Sequence, residues 1–183
     1  MYFEKAGYEN TDATLKIVRE EATKRGIQYV LVASTTGNTG LKALKMFKET
    51  NLKPIVVSHN TGFKQPGIQE LDTTMREEIE KLGGKVLTST MILRSLGTAI
   101  RGKMYYSQEQ IIADTLRMMG QGTKVCVEMA AMAADAGLIP CEDIISVAGT
   151  GSGADTALII EANSSNRFFD IKIKEVLTKP KNF

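Results

Sequence analysis

The sequence predicts an α/β fold in which helices cover both faces of a mostly parallel sheet. Three continuous apolar runs, Tyr29–Ala33, Pro54–Ser58 and Ile144–Ala148, lack alternation and are typical of strands buried on both faces. Helical patterns lie between these runs, and strands that alternate with helices favour a parallel sheet. The chain has 183 residues, the size of an ordinary domain, so we expect residues 1–183 to fold as one domain.

The amino-terminal half contains three predicted helices and three predicted strands. The first helix is Thr11–Arg25, because Leu15, Val18 and Ala22 lie on one face and Gly26 suits the position after its end. The elements that follow are strand Tyr29–Ala33, helix Leu41–Glu49, strand Pro54–Ser58, a helix with Leu71, Met75, Ile79 and Leu82 on one face that ends at Gly83, and strand Lys85–Ser89.

The carboxyl-terminal half is predicted to contain two helices and three strands. Met91–Tyr106 fits neither the helical nor the strand period, so we interpret it as an inserted loop or lid. Ser107 and Gln110 form a capping box that opens a helix through Met119. The later elements, after a break at Gly120 and Gly122, are helix Lys124–Ala136 and strands Ile144–Ala148, Thr156–Ile160 and Phe168–Leu177, the last with the lysines of an edge strand.

The composition excludes several classes of protein. The net charge of +2 is too small to indicate a nucleic-acid partner, and no apolar run is long enough to cross a membrane. The amino terminus lacks the apolar segment of a secretion signal, and Cys126 and Cys141 form no redox or metal motif, so we expect a cytoplasmic protein with reduced thiols. His59 is the only histidine, which argues against a metal site.

The loop after the first strand has the residues of an anion-binding site. Ser34, Thr35, Thr36, Gly37, Asn38 and Thr39 lie between an apolar strand and a helical pattern. Helix amino termini leave backbone N–H groups unpaired, and hydroxyl groups can donate to phosphate oxygens. Gly37 and Gly40 could let the backbone approach a ligand. The alternative is an ordinary strand-to-helix turn that Thr39 caps.

Polar loops follow the other predicted strands as well. They are residues 58–67 (SHNTGFKQPG), 88–90 (TST) and 149–156 (GTGSGADT). The carboxyl ends of parallel strands share one edge of a sheet, where ligands bind. These loops contain only one acidic residue, Asp155, which favours an anionic ligand. We therefore predict that His59, Asn60, Gly149, Thr150, Gly151 and Asp155 line a pocket with the first loop.

Several residues near these loops have more than one interpretation. His59 could act as a general acid or base, or it could cap the end of its strand. Glu128 is expected to pair with a lysine or with loop amides rather than to catalyse. Met91–Tyr106 could supply an apolar wall with cations over a ligand ring, or it could pack on the core. GTGSGA also matches a dinucleotide fingerprint, but the strand-like Thr156–Glu161 stands where that fingerprint needs a helix.

The strand, the STTGNTG loop and the helix after it resemble the carboxyl-terminal domain of pyruvate kinase, where such a loop holds a phosphate of a sugar-bisphosphate effector. The runs HNTGFKQPG, TLRMMGQGTKVCVEMAAMAADAGLIP and GTGSGADTALII resemble signatures of small stand-alone pyruvate kinase alpha/beta domain-like proteins. The resemblance implies a three-layer α/β/α sandwich and an FMN-type ligand. Ser152 and Gly153 stand where some relatives have a bulky residue before glycine. The catalytic barrel of pyruvate kinase is absent from the sequence.

These observations favour a cytosolic ligand-binding protein for a phosphorylated, nucleotide-like molecule, with FMN as the expected cofactor. One alternative is a small enzyme, flavin-dependent or acting on a phosphate ester, that uses His59. Another is a regulatory or oligomeric domain. The Met-rich helices and the extended carboxyl-terminal strand are compatible with a homodimer.

Overall fold

Eight strands and six α-helices follow one another along the chain in the computed structural model, which describes all 183 residues. The bounds are β1 Phe3–Lys5, α1 Thr11–Arg25, β2 Tyr29–Ala33, α2 Asn38–Phe47, β3 Lys53–Ser58, α3 Thr73–Lys81, β4 Lys85–Thr88, α4 Ser95–Met104, α5 Gln108–Arg117, α6 Gln121–Asp135, β5 Asp143–Ala148, β6 Thr156–Glu161, β7 Lys172–Thr178 and β8 Pro180–Asn182. Single 3₁₀ turns precede α1 and β7.

The central sheet has six strands in the order β4-β3-β2-β5-β6-β7. The first four are parallel, with Val32 of β2 opposite Val56 of β3 and Val147 of β5. β6 and β7 extend the sheet as antiparallel strands. β2 therefore occupies an interior position, which explains why its residues form a continuous apolar run rather than an alternating one.

Helices cover both faces of this sheet, so the fold is the expected three-layer α/β/α sandwich. On one face, Leu15 and Val18 of α1 and Phe47 of α2 are buried against β2, β5 and β6. On the other face, α6 supplies Cys126 and Met129 to the larger core cluster. α5 packs on α6, and α4 packs on α5.

The segment Met91–Tyr106 is not a loop, since Ser95–Met104 forms α4. The sequence gives no helical signal here because only one residue of α4, Gly97, is buried, while Leu96 and Met104 are exposed. Ser107 caps α5 as expected, accepting a hydrogen bond from the Gln110 N–H at 3.2 Å.

Three predicted element boundaries also need correction. α2 begins at Asn38 rather than Leu41, and β7 begins at Lys172 because a 3₁₀ turn occupies Ser165–Asp170. α6 begins at Gln121 rather than Lys124. It includes Gly122, which was expected to lie in the break before this helix. A Cβ atom at Gly122 would meet the Thr156 side chain, so this glycine allows α6 to approach β6 closely.

The two ends of the chain pair with each other, which was not predicted. β1 and β8 form a separate two-stranded parallel sheet, with Phe3 opposite Pro180. Strands of three residues are too short to show a periodic pattern. Among the helices, none has both the length and the hydropathy that a bilayer crossing requires.

Candidate functional site

A cavity of about 510 Å³ lies at the carboxyl edge of the parallel strands. Loops after β2, β3 and β5 border it, together with one side of α6 from Gln121 to Met132 and with Met91 and Arg94. In the sheet, β3 lies on one side of β2, and β5, which comes later in the chain, lies on the other side of β2. Such a reversal of strand order opens a crevice at the carboxyl ends of the strands, and ligands bind there in open α/β sheets.

The structure brings together most of the predicted site residues around this cavity. Those on its wall are Ser34, Thr35, Thr36, Asn38, Thr39, His59, Gly149 and Gly151. The neighbouring Ser152 and Gly153 also border it. Gly37, Asn60, Thr150 and Asp155 do not line it, and neither does the 88–90 loop. That loop follows β4, which lies at the edge of the sheet and two strands away from β2.

The loop after β2 presents a row of free backbone amides. The N–H groups of Thr35, Thr36, Gly37, Asn38 and Thr39 donate to no acceptor in the chain, whereas the next N–H, that of Gly40, donates to Ser34 Oγ at 3.1 Å. Gly37 is the N-cap of α2, so Thr39 does not cap the helix. A free amide row at the positive end of a helix dipole attracts anions.

Thr39 adds a free hydroxyl to the same loop. The residue is only 8% exposed and borders the cavity. The side-chain hydrogen bonds of this loop join Asn38 Nδ2 to Thr36 Oγ1 and the Gly40 N–H to Ser34 Oγ, and the Thr39 hydroxyl takes part in neither. A hydroxyl without a partner on a cavity wall is available to a ligand.

The two glycines of this loop are required by the packing of α2. Gly37 has φ of 94°, and a Cβ atom there would meet Met75 of α3. A Cβ atom at Gly40 would lie 2.7 Å from both γ-carbons of Val56 in β3. Both glycines therefore let α2 lie close to its neighbours, and the expectation that they also let the backbone approach a ligand stays a prediction.

Asp155 holds backbone together instead of facing the cavity. It is fully buried, and its carboxylate accepts hydrogen bonds from the Gly7 N–H at 3.3 Å, the Thr150 N–H at 3.0 Å and the Thr156 hydroxyl at 2.8 Å. These bonds join the amino-terminal segment to the loop after β5. The carboxylate therefore positions a cavity-lining loop from behind.

His59 is held in place by a carboxylate and an aromatic ring. Its Nδ1 lies 3.0 Å from Oε2 of Glu70, and its ring centroid lies 3.9 Å from that of Phe63. Arg94 stacks on Phe63, with its guanidinium carbon 4.5 Å from the ring centroid. Since Nδ1 faces Glu70, the other ring nitrogen, Nε2, is the one left for a ligand.

Glu70 is ionised more readily than an ordinary glutamate. Burial alone would raise the pKa of its carboxyl group, but hydrogen bonds from Lys64 and His59 outweigh burial and lower the pKa. Lys64 Nζ lies 2.5 Å from Oε1 of Glu70. The ionised carboxylate of Glu70 therefore places a negative charge beside Nδ1 of His59.

A buried ion pair lies on the α6 side of the cavity. Lys124 and Glu128 are one helical turn apart, and Lys124 donates to Oε2 of Glu128, while Oε1 accepts the Leu93 N–H at 2.7 Å. This confirms the expectation that Glu128 pairs with a lysine and with a loop amide. Burial lowers the pKa of Lys124, and the nearby Glu128 charge opposes that effect only in part.

Two larger grooves lie at the opposite, amino edge of the sheet. The largest, about 1140 Å³, runs between α1, α2 and the residues that precede β2 and β3. No loop that follows a strand borders it.

The sole cysteine of the core, Cys126, contributes no reactivity, because burial raises the pKa of its thiol to about 12.

Several residues of the cavity wall were not named from the sequence. Phe63 and Lys64 lie in the predicted loop 58–67 but were not singled out, and the others are Tyr8, Gln121, Lys124, Val125, Met129 and Met132. Of the proposed wall segment, Met91 and Arg94 do line the cavity, whereas Tyr105 and Tyr106 are exposed to solvent. A lysine and a glutamate four residues apart within an otherwise apolar helix are a signal that could have indicated Lys124.

No protein-family model matches the chain. Among solved structures, the chain is similar to Cryptosporidium parvum pyruvate kinase in complex with ADP, with 16% identity over 84% of this chain and 24% of that one and a TM-score of 0.45. Another structure of a pyruvate kinase from this organism gives 16% identity, 84% and 23% coverage and a TM-score of 0.44. A crystal structure of O-ureido-L-serine synthase gives 16% identity, 72% and 40% coverage and a TM-score of 0.33. The chain thus spans about a quarter of the length of these pyruvate kinases, and likeness at this level assigns neither ligand nor activity.

Proposed function

We propose that this protein binds a phosphorylated, nucleotide-like small molecule, with FMN as the first candidate, in the cavity at the carboxyl edge of its sheet. The row of free amides from Thr35 to Thr39 is the observation that carries the proposal. Four of these five residues, Thr35, Thr36, Asn38 and Thr39, border the cavity, and free N–H donors at a helix amino terminus suit the oxygens of a phosphate group. The Thr39 hydroxyl adds a further donor.

The rest of the cavity suits the body of such a ligand. Its volume of about 510 Å³ falls within the range of about 300–1,000 Å³ that is usual for small-molecule sites. Met91, Met129 and Met132 supply apolar surface that can adapt to a flat ring. Lys64 is paired with Glu70 and Lys124 with Glu128, whereas Arg94 stacks on Phe63 and has no carboxylate partner, so the wall carries one unpaired positive charge that favours a negatively charged ligand.

The FMN assignment itself rests on the sequence resemblance to the stand-alone pyruvate kinase alpha/beta domain-like proteins. The test is a titration of FMN with the purified protein, followed by flavin fluorescence and by calorimetry. The proposal predicts saturable binding of FMN that inorganic phosphate weakens by competition. Riboflavin, which lacks the phosphate, is the matched control and is expected to bind much more weakly. Absence of binding by both FMN and inorganic phosphate would refute the proposal.

The pairing of His59 with Glu70 favours one second candidate, an enzyme that acts on a phosphate ester. A carboxylate at Nδ1 fixes the ring so that Nε2 can take a proton from an attacking water molecule. The assay is release of inorganic phosphate from FMN by the wild type and by a His59→Asn variant. The hypothesis predicts that turnover is lost in the variant while FMN binding persists. Equal turnover in the two proteins would remove it.

A cytoplasmic location and a homodimer remain secondary proposals. Large apolar side chains of α4, α5 and the segments that follow them are exposed, including Leu96, Ile111 and Met118. Such surface is compatible with self-association. Light scattering with and without FMN would measure the oligomeric state, and a monomer under both conditions would contradict the dimer.

A further inference from the structure

Lys124 is a charged residue in a place where lysine is rarely found. Its side chain is 3% exposed and that of Glu128 is 4% exposed, yet both border the cavity. The remaining buried residues of α6 are mostly apolar or small. Burying a charged pair is unfavourable unless its hydrogen-bonding groups find partners, so the partners of each group matter for the stability of this pair.

The ammonium group of Lys124 has more donors than the chain satisfies. Lysine carries three N–H donors. The chain offers Lys124 one side-chain acceptor, Oε2 of Glu128, and the other oxygen of that carboxylate accepts the Leu93 N–H. Two donors of Lys124 are therefore without a partner in the protein. Because Lys124 borders the cavity, an acceptor can reach these donors from that side.

The position of Lys124 in the fold separates it from the amide row. The row belongs to the start of α2, whose side chains pack on one face of the sheet, whereas α6 packs on the other face. The two helices meet the cavity from different layers. A ligand whose phosphate lies on the amide row thus presents a different part of its structure to Lys124.

The charges around Lys124 specify the chemistry of that second contact. Arg94 borders the same cavity, and the positive charges of Arg94 and Arg117 act on Lys124. Only one carboxylate, Glu128, lies among the wall residues. Because the charge of Lys124 is paired with Glu128, its two free donors and the nearby Arg94 favour an oxygen acceptor, such as a ring carbonyl or a carboxylate.

We propose that Lys124 is a binding residue for a carbonyl or carboxylate oxygen on the part of the ligand away from its phosphate. This inference rests on the proposed function, since it assigns the ligand class of the same cavity. It restricts that class to phosphate esters whose remaining structure carries such an oxygen. FMN is a suitable probe, because its ring system carries carbonyl groups, and inorganic phosphate is the probe that lacks them.

The experiment compares the wild type, a Glu128→Gln variant and a Lys124→Met/Glu128→Gln double variant by calorimetry with FMN and with inorganic phosphate. The Glu128→Gln substitution keeps an oxygen that can accept the Leu93 N–H and avoids an unpaired buried carboxylate in the double variant. Relative to Glu128→Gln, the double variant is expected to bind FMN about 10- to 100-fold more weakly, the usual effect of losing a charge-assisted hydrogen bond. Its affinity for inorganic phosphate is expected to stay within about twofold. A melting curve checks that each variant is folded.

Three results would overturn the inference. The role of Lys124 is refuted if the double variant binds FMN as tightly as Glu128→Gln does. It is also refuted if the wild type binds phosphate but not FMN. Both results leave the phosphate site in place. Binding of neither probe by the wild type overturns the proposed function together with it. If the double variant fails to fold, Lys124→Gln/Glu128→Gln, which retains hydrogen-bonding groups at both positions, replaces it in the same comparison.

Discussion

Single side chains at the carboxyl edge divide into two groups by where their polar atoms point. Ser34 and Asp155 use their oxygens to accept backbone N–H groups and so hold the loops in shape. Thr39 and Lys124 retain donors that no atom of the chain accepts, and both border the cavity. Only the second group has spare hydrogen-bonding capacity for a ligand, so substitutions in the two groups should have different effects.

A Thr39→Val substitution tests the free hydroxyl of the loop. Valine has nearly the same shape, so the melting temperature should change little, whereas affinity for inorganic phosphate should fall about tenfold with the loss of one hydrogen bond to a charged group. Calorimetry measures the affinity. Thr98→Val, at an exposed position of α4 away from the cavity, is the control and should bind phosphate as the wild type does. Unchanged phosphate affinity in Thr39→Val would contradict a role for this hydroxyl.

An Asp155→Asn substitution tests the carboxylate that holds the loop after β5. An amide can accept fewer of the three hydrogen bonds and places its own donors near N–H groups, so the free energy of unfolding should fall by about 1–3 kcal/mol. Urea denaturation measures this change. Asp72→Asn is the matched control, because Asp72 caps α3 at an exposed position and asparagine caps helices equally well. Equal stability of the two variants would show that Asp155 is not needed in this role.

The lowered pKa of Glu70 predicts a pH dependence of stability. A carboxyl group whose pKa is lower in the folded state than in the unfolded state contributes stability above its unfolded value, and this contribution is lost as the pH falls through the folded value. The ordinary value of this pKa is 4.5, so the wild type should be more stable than Glu70→Gln near neutral pH, and the difference should shrink as the pH falls below 4.5 and vanish once the carboxyl group is protonated in the folded state as well. Urea titrations at several pH values measure it. A difference that stays constant from pH 7 to pH 3 would refute the pairing with His59 and Lys64.

At the scale of elements, the seating of α2 determines the geometry of the amide row. Gly37 and Gly40 allow α2 to lie close to α3 and β3, and Ser34 accepts the third N–H of the helix. The glycines of the predicted phosphate loop are thus part of a closely packed helix start. The free amides are held rigidly, which lowers the entropy lost when an anion binds.

Two glycine substitutions are expected to change stability in opposite directions, because Gly40 lies in the closely packed start of α2 and Gly102 lies on the exposed part of α4. Gly40→Ala places a methyl group 2.7 Å from the side chain of Val56, so we expect a loss of about 1–3 kcal/mol in the free energy of unfolding and weaker phosphate binding. Gly102→Ala, within the exposed part of α4, meets no atom within 4 Å and should stabilise the protein by about 0.5–1 kcal/mol. Chemical denaturation of both variants measures the difference. A stable Gly40→Ala protein would show that α2 has room to move.

At the scale of the whole molecule, local patterns predicted the layers and the edge on which the polar loops meet. Continuous apolar runs such as Tyr29–Ala33 identified interior strands, and their shared direction brought the loops after β2, β3 and β5 to one cavity. The pairing of β1 with β8 could not be predicted, because it depends on contacts between the two ends of the chain.

The cavity wall was harder to predict than the fold, for a similar reason. Glu70 reaches His59 and Arg94 reaches Phe63 through tertiary contacts that leave no periodic signal in the sequence. Asp155 illustrates the opposite error, since a polar residue in a glycine-rich loop suggested a ligand contact but its carboxylate is used by backbone N–H groups. Residue type and loop position identify candidates, and only the hydrogen-bond partners separate the two roles.

Phosphate binding by the amide row is tested most directly by an NMR titration of the isotope-labelled protein with inorganic phosphate, observing backbone amide groups. Saturable downfield shifts are expected for the amide protons of Thr35 to Thr39, because these free donors would hydrogen-bond to phosphate oxygens. Amides of Asn51 and Leu52, in the groove at the amino edge, should not shift. Unchanged amide protons from Thr35 to Thr39 at high phosphate concentration, or largest shifts in that other groove, would contradict phosphate binding by the amide row.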